Sequence, residues 1–329
     1  MPIKTLAIVP EFLCVSRYNA QTFCCDRFME NRHYTLEKTQ FGQVGRFQAM
    51  ASPCEVLIDS TDEKLGQAII KAVHGEAKRI EQKFSRYLSD NFMHTLNNSA
   101  GKVLTLDDES ALLMDFAFEC YELSDGLFDV TSGILRAAWK FDGSQNVPSQ
   151  NQINKLLPFI GLDKISWQRP EFCLPENMEM DFGGIGKEYA VDRCLQKAME
   201  SMVEESSKRV PVLLNFGGDL ICNGPRIMGK PWQVGIESVG GGGSAVVSLH
   251  IGALATSGDA RRFLLKDGIR YSHILNPKTG QSITSAPRSV TVAAHTCVEA
   301  GLLSTLAMLQ GCEARHFLEE QEVSHWVQD

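Results

Sequence analysis

Four segments in the C-terminal half of this chain carry residue types and spacings suited to chemistry on a phosphate-bearing ligand. In Asp181-Phe-Gly-Gly-Ile-Gly-Lys187 a strand closes on Gly183-Gly184, and a helix starts near Lys187. Glycines let backbone N–H groups approach an anion, while the helix N-terminus and Lys187 add positive potential. The run is neither GxGxxG nor a Walker loop, and a plain strand-to-helix turn with Lys187 on the surface would also fit it. Leu213-Leu-Asn-Phe-Gly-Gly-Asp219 is a second strand ending on paired glycines, where a ligand, the first loop or a simple bulge would each explain the missing side chains. In Ala255-Thr-Ser-Gly-Asp259, Thr256 and Ser257 stand at a strand end where hydroxyls could bind phosphate oxygens. Tyr271-Ser-His-Ile-Leu-Asn-Pro-Lys-Thr-Gly280 places His273 in a strand, as a candidate proton acceptor or a satisfied core residue. Thr296-Cys-Val-Glu-Ala-Gly-Leu-Leu-Ser-Thr305 is helical. Glu299 and Thr305 do not share a face there. Position 301 lies one turn before Thr305 and does share its face, but it holds glycine. Glycine inside a helix costs about 1 kcal/mol relative to alanine, and the sequence offers no packing reason for it.

The elements that must position these groups follow from periodicity. Residues 46–59 alternate as a strand, and Leu65, Ala68, Ile69, Ala72, Val73, Ala77, Ile80 and Phe84 mark an amphipathic helix. A second helix, Ser110 onwards, stops at Gly126, the residue type that usually ends helices. Residues 142–152 are a loop, 153–162 a short helix, and DKISWQ and FCLPENMEMDF two strands. Residues 187–206 are helical, and residues 296–311 form a last buried helix. Between them lie several neighbouring strands joined by Gly/Pro turns, with Gly240–Ser244 as a flexible hairpin tip. Irregular alternation with adjacent antiparallel strands predicts an α+β fold rather than a doubly wound sheet. One large unit over 46–329 is expected, preceded by an irregular, partly disordered extension over 1–45.

The 329 residues, 43% hydrophobic, suffice for a large core. A net charge of −8 without a basic block argues against nucleic acid as a partner. An anionic ligand must therefore be met locally, by backbone N–H groups, a few cations or a metal. The ten cysteines include no CxxC pair, which disfavours a zinc site and a disulfide framework and points to a reducing compartment. The N-terminal apolar run is interrupted by Pro10 and Glu11 and makes a poor export signal, and no stretch is long enough to span a bilayer. A cytoplasmic location is expected.

Taken in order, DxGGIxKxYAVD, LxNxGGD, ATSGDxR followed by YSHIxNPxTG, and the VEAxxLxT helix resemble the FAD:protein FMN transferase family, also called the ApbE family. Upstream, Met50-Ala-Ser, Phe84-Ser-Arg-Tyr87 with Asn97, Leu123-Ser-Asp-Gly-Leu-Phe-Asp-Val-Thr131 with Trp139, and Pro231-Trp-Gln-Val-Gly-Ile-Glu237 extend the likeness over about residues 46–312. The resemblance implies an ApbE-like, T-fold-related unit of antiparallel and mixed sheets with packed helices. It implies FAD as substrate, a divalent metal such as Mg²⁺ near the pyrophosphate, and transfer of FMN to a Thr or Ser of an acceptor flavoprotein with release of AMP. Carried over by position, it puts Met50 and Tyr87 beside the flavin. Leu127, Phe128 and Asp129 line the nucleotide, and Asp181, Lys187 and Ile274 contact FAD. Thr256 and Ser257 meet phosphate, and His273 is the general base. The metal falls to the backbone of Gly184 and Gly186 and to Thr305.

Three positions depart from the family pattern. The family's helix Asp, a metal ligand, is Gly301 here; its Gly after the Lys is Glu188; and its SE pair is Asn91 and Phe92. A hard cation wants carboxylate oxygen, so the alternative to transfer is a diverged protein that binds FAD with weak or no transferase activity. Glu299 sits on a different helix face and is a poor substitute. Restoring the acid with Gly301→Asp is expected to raise metal-dependent turnover. Family members are commonly exported, which keeps a periplasmic location in play.

Overall fold

Eight antiparallel strands carry the fold. The computed structural model describes residues 34–206, 209–238, 243–259 and 262–329. In chain order its elements are β1 (Thr35–Thr39), β2 (Gly42–Ala49), β3 (Ser52–Ile58), α1 (Glu63–Phe84), α2 (Phe92–Asn97), β4 (Val103–Thr105), α3 (Asp108–Leu123), α4 (Gln150–Asn154), β5 (Ser166–Gln168) and β6 (Glu171–Cys173). Then come α5 (Gly186–Ser206), β7 (Val212–Phe216), β8 (Asp219–Cys222), β9 (Trp232–Glu237), β10 (Gly243–Leu249), β11 (Gly252–Gly258), β12 (Phe263–Lys266), β13 (Ile269–Ser272), β14 (Ser289–Ala294), α6 (Cys297–Leu309), α7 (Ala314–Glu320) and β15 (His325–Gln328). The main sheet has the order β1-β2-β3-β7-β8-β11-β14-β15, and every neighbouring pair is antiparallel. The predicted α+β class is what the chain adopts.

Strand alternation sends Cys54, Val56 and Ile58 of β3, with Ala253 and Ala255 of β11, into one core. The helices answer with stripes at helical spacing: Leu65, Ile69, Val73 and Ala77 from α1, and Val191, Cys194, Ala198 and Met202 from α5. Burying each large apolar side chain stabilises by about 1.5–3 kcal/mol. Asp62 starts α1 by accepting from the Lys64 and Leu65 N–H groups, each at 3.1 Å. The opposite sheet face is covered by the β9–β10 hairpin through Trp232, Val234 and Leu249. A second core, with Phe84, Met114, Phe128, Phe172, Phe182 and Leu306, joins α1, α3 and α6 to the small sheet β4-β6-β5.

Some expectations change. Residues 46–59 are not one strand: the chain reverses at Met50 and Ala51, with φ of 50° and 55°, and β2 pairs with β3. Period-2 alternation runs on through a two-residue turn, which hid the break. Residues 35–45, expected in the extension, form β1 and the start of β2; residues 1–33 lie outside the described residues. FCLPENMEMDF is strand only at its start. Most of the Gly240–Ser244 tip also lies outside the described residues, though the strands flanking it pair as a hairpin. Seven described cysteines are free, and among the described residues no helix is long and apolar enough to cross a membrane.

Candidate active site

The first glycine turn is anchored from below. Asn97 Nδ2 donates to Met180 O at 3.0 Å, and Met180 N donates back to Asn97 Oδ1 at 2.7 Å. Asp181 N donates to Val130 O at 2.8 Å. The Asp181 carboxylate accepts from Gly183 N at 2.9 Å and is ion-paired with Arg86. Arg86 also donates to the Tyr87 hydroxyl at 2.8 Å, and its guanidinium lies 4.9 Å from the Tyr87 ring centre. Tyr87 itself is 78% exposed. Past the turn, Gly186 opens α5, and Gly183 and Gly184 remain exposed.

One acid ties the glycine segments together. Asp219, at the start of β8, is 2% exposed. It is ion-paired with Lys187 of α5, and its Oδ1 accepts from Thr256 N of β11 at 3.3 Å. Glu188 follows Lys187 and lies against Gly301 of α6: a Cβ built on Gly301 would stand 2.6 Å from Glu188 Cγ. Burial, then the negative charge of Asp219, holds the Glu188 carboxyl well above the usual carboxylate range. Ser257 Oγ lies 2.9 Å from Thr305 Oγ1 and 2.9 Å from Ser304 Oγ. Segments far apart in sequence thus meet at one end of the main sheet, where α5 and α6 pack together. Among the described residues no group of three or more His, Cys, Asp or Glu side chains is placed to hold a metal.

His273 follows β13, with Nδ1 3.1 Å from Arg262 O and its ring edge-on to Phe141 at 6.2 Å. Burial lowers its pKa, so the imidazole is neutral at pH 7. With Nδ1–H assigned to the Arg262 carbonyl, Nε2 is the bare nitrogen. Met50, Leu127 and Ile274 are each half-buried against the second core.

The ApbE family's sequence model matches residues 50–326. The chain belongs to the ApbE family. Curated relatives include the FAD:protein FMN transferases of Haemophilus influenzae, 27% identical over 75% of this chain and 73% of that one, and of Escherichia coli K12, 29% identical over 78% and 75%. Among solved structures, the ApbE protein of Thermotoga maritima superposes with a TM-score of 0.77 at 28% identity, covering 90% of this chain and 94% of that one. The apo flavinyl transferase ApbE of Pseudomonas stutzeri gives 0.75 at 25% identity over 89% and 91%.

The structure sorts the site residues expected from the family. The Asp129 carboxylate accepts from Thr131 N at 2.8 Å, Thr131 Oγ1 at 2.6 Å and Leu162 N at 3.3 Å. Phe128 is buried, with its ring against Gly184, so it supports the loop from behind. Thr256 and Ser257 part company, because successive strand residues point to opposite faces. Ser257 reaches α6, whereas Thr256 Oγ1 lies 2.8 Å from Thr291 Oγ1 on the other side. Glu299 caps its own helix, accepting from His295 N at 3.2 Å. Arg86 and Asp219 were absent from the expected set, although FSRY and LNFGGD contain them. Their signal was charge beside a glycine turn, which only the fold converts into a partner.

Proposed function

We propose that this chain transfers FMN from FAD to a Thr or Ser hydroxyl of an acceptor flavoprotein, releasing AMP. The convergence of Lys187, Asp219, Ser257 and Thr305 beside two glycine turns carries the reading, and family membership supports it. The acceptor oxygen attacks the phosphorus of the FMN half, the bond to the AMP phosphate breaks, and the acceptor proton passes to His273 Nε2. A base must be neutral to take that proton, and burial keeps His273 so. Lys187 lies beside the loop that would hold the pyrophosphate, where its charge offsets phosphate charge. Tyr87, Met50, Leu127 and Ile274 would flank the flavin.

A divalent cation such as Mg²⁺ would neutralise charge building on the pyrophosphate oxygens. The residues present suit it: the Thr305 hydroxyl, carbonyls at Gly184 and Gly186, and a buried carboxylate oxygen without a donor at Glu188. FAD binding without transfer is the second reading, favoured by the absence of an acid at Gly301. Incubation with FAD, Mg²⁺ and an acceptor flavoprotein domain separates the two. AMP release with covalent flavin on the acceptor is expected; tight FAD binding without AMP under any divalent cation would sink the transferase reading.

A further inference from the structure

We propose that Glu188 of α5 supplies the carboxylate ligand of the cation site in this chain, occupying the space that Gly301 of α6 leaves open. The inference rests on the flavin-transfer reading. A Cβ on Gly301 would lie 2.6 Å from Glu188 Cγ, 3.2 Å from Cδ and 3.3 Å from Oε1. Glu188 therefore fills the volume that a side chain at 301 would take. That supplies the packing reason for a glycine inside α6. Gly301 and Thr305 are one turn apart and share a helix face, so the Glu188 carboxylate sits over the face that carries the Thr305 hydroxyl. The acid has changed helices, not disappeared.

Two further observations point to a ligand. Glu188 Oε2 is shut away from solvent and has no hydrogen-bond donor, a costly state for a buried polar oxygen. Lys187, the ammonium next to Glu188 in sequence, is already paired with Asp219, so it does not serve that oxygen. A divalent cation would satisfy the orphaned oxygen. Glu299, the other acid on α6, is taken up in capping. Mg²⁺ is commonly held by one or two carboxylates plus phosphates and water, so one relocated acid is enough.

The test is Mn²⁺ binding by the FAD-loaded protein, followed by calorimetry, with flavin fluorescence as a separate measure of FAD affinity. The native chain should bind Mn²⁺, and Glu188→Gln should still bind FAD but take up Mn²⁺ ~10-fold or more weakly. The double variant Glu188→Gly with Gly301→Asp should regain most of the loss. Native-like Mn²⁺ binding by Glu188→Gln would remove Glu188 as a ligand and leave the transfer reading standing. A native protein that binds FAD but no Mn²⁺ would overturn both the site and metal-dependent transfer. Should Glu188→Gln fail to fold, the double variant decides: one that folds and binds FAD but takes up Mn²⁺ far more weakly than the native chain would overturn the exchange.

Discussion

Lys187 and Asp219 form an ion pair whose acid is almost wholly enclosed, with side-chain exposures of 29% and 3%. The pair links the start of α5 to the start of β8, and Asp219 extends the link to β11 through Thr256 N. Asp219 is thus the joint of the site as well as a charge in it.

Asp219→Asn keeps an acceptor for Thr256 N but leaves the Lys187 ammonium without its partner. Breaking a buried pair by removing one member costs about 3–5 kcal/mol; with Lys187 partly solvated, roughly 2–3 is expected. Urea unfolding should show the midpoint falling in proportion. FAD affinity should drop too, because Lys187 loses its fixed position. A native-like midpoint would mean that the pair does not hold the loops together.

His273→Gln should lower FMN transfer by about 100- to 10,000-fold, the range for a positioned general base, while FAD affinity stays near native. The sign of the pH effect follows from burial. It lowers the His273 pKa below the ordinary 6.5, so the neutral, proton-accepting form persists into mildly acid solution. On acidification, transfer by the native chain should fall to half at a pH below the ordinary imidazole value of about 6.5. A rate that halves near pH 7 or above would assign the base to another group.

Much of this was legible before the fold. The α1 and α5 stripes were plain because a 3.6-residue period survives any tertiary context, and the glycine turns stood out because few residues tolerate such close approach. The Met50-Ala51 reversal escaped because neither residue is a usual turn former; the partner of Met50 N is the Glu81 side chain at 2.6 Å, a contact spanning a whole helix. The hydrogen-bond partners of Asp129 and Thr256 were illegible for a related reason. Leu162 N and Thr291 Oγ1 lie across space from them and not in their own motifs. Gly301 looked like a loss until Glu188 was seen in its place.

Asp192 of α5 meets the N-terminus of α6, accepting from Cys297 N at 2.8 Å and Val298 N at 3.0 Å. Burial nevertheless outweighs those bonds and raises its pKa from 3.8 to about 6. An acid whose folded pKa is raised favours the folded state at low pH, and that contribution is lost as pH climbs from about 4 through 6. The shift corresponds to at most about 3 kcal/mol. Asp192→Asn stays neutral throughout, so its Tm relative to the native chain should rise by a few degrees between pH 4.5 and 7. A difference that stays constant with pH would show that the helix N-terminus fully compensates the buried charge.

The Glu188–Gly301 contact predicts a reversal of sign. Gly301→Ala in an ordinary helix interior would stabilise by roughly 1 kcal/mol. Here the new methyl would stand 2.6 Å from Glu188 Cγ, a mid-chain atom that cannot swing clear by rotating its carboxylate. Overpacking of this kind costs about 1–3 kcal/mol, so Gly301→Ala alone should destabilise. In a Glu188→Gly background the obstacle is gone, and the same change should stabilise. The same clash means that Gly301→Asp alone should not raise turnover, contrary to the expectation from the family pattern. A double-mutant cycle by urea denaturation reads the coupling directly, with about 2 kcal/mol expected. Additive effects at the two positions would mean that the side chains do not compete for one space, and the relocated acid would lose its structural basis.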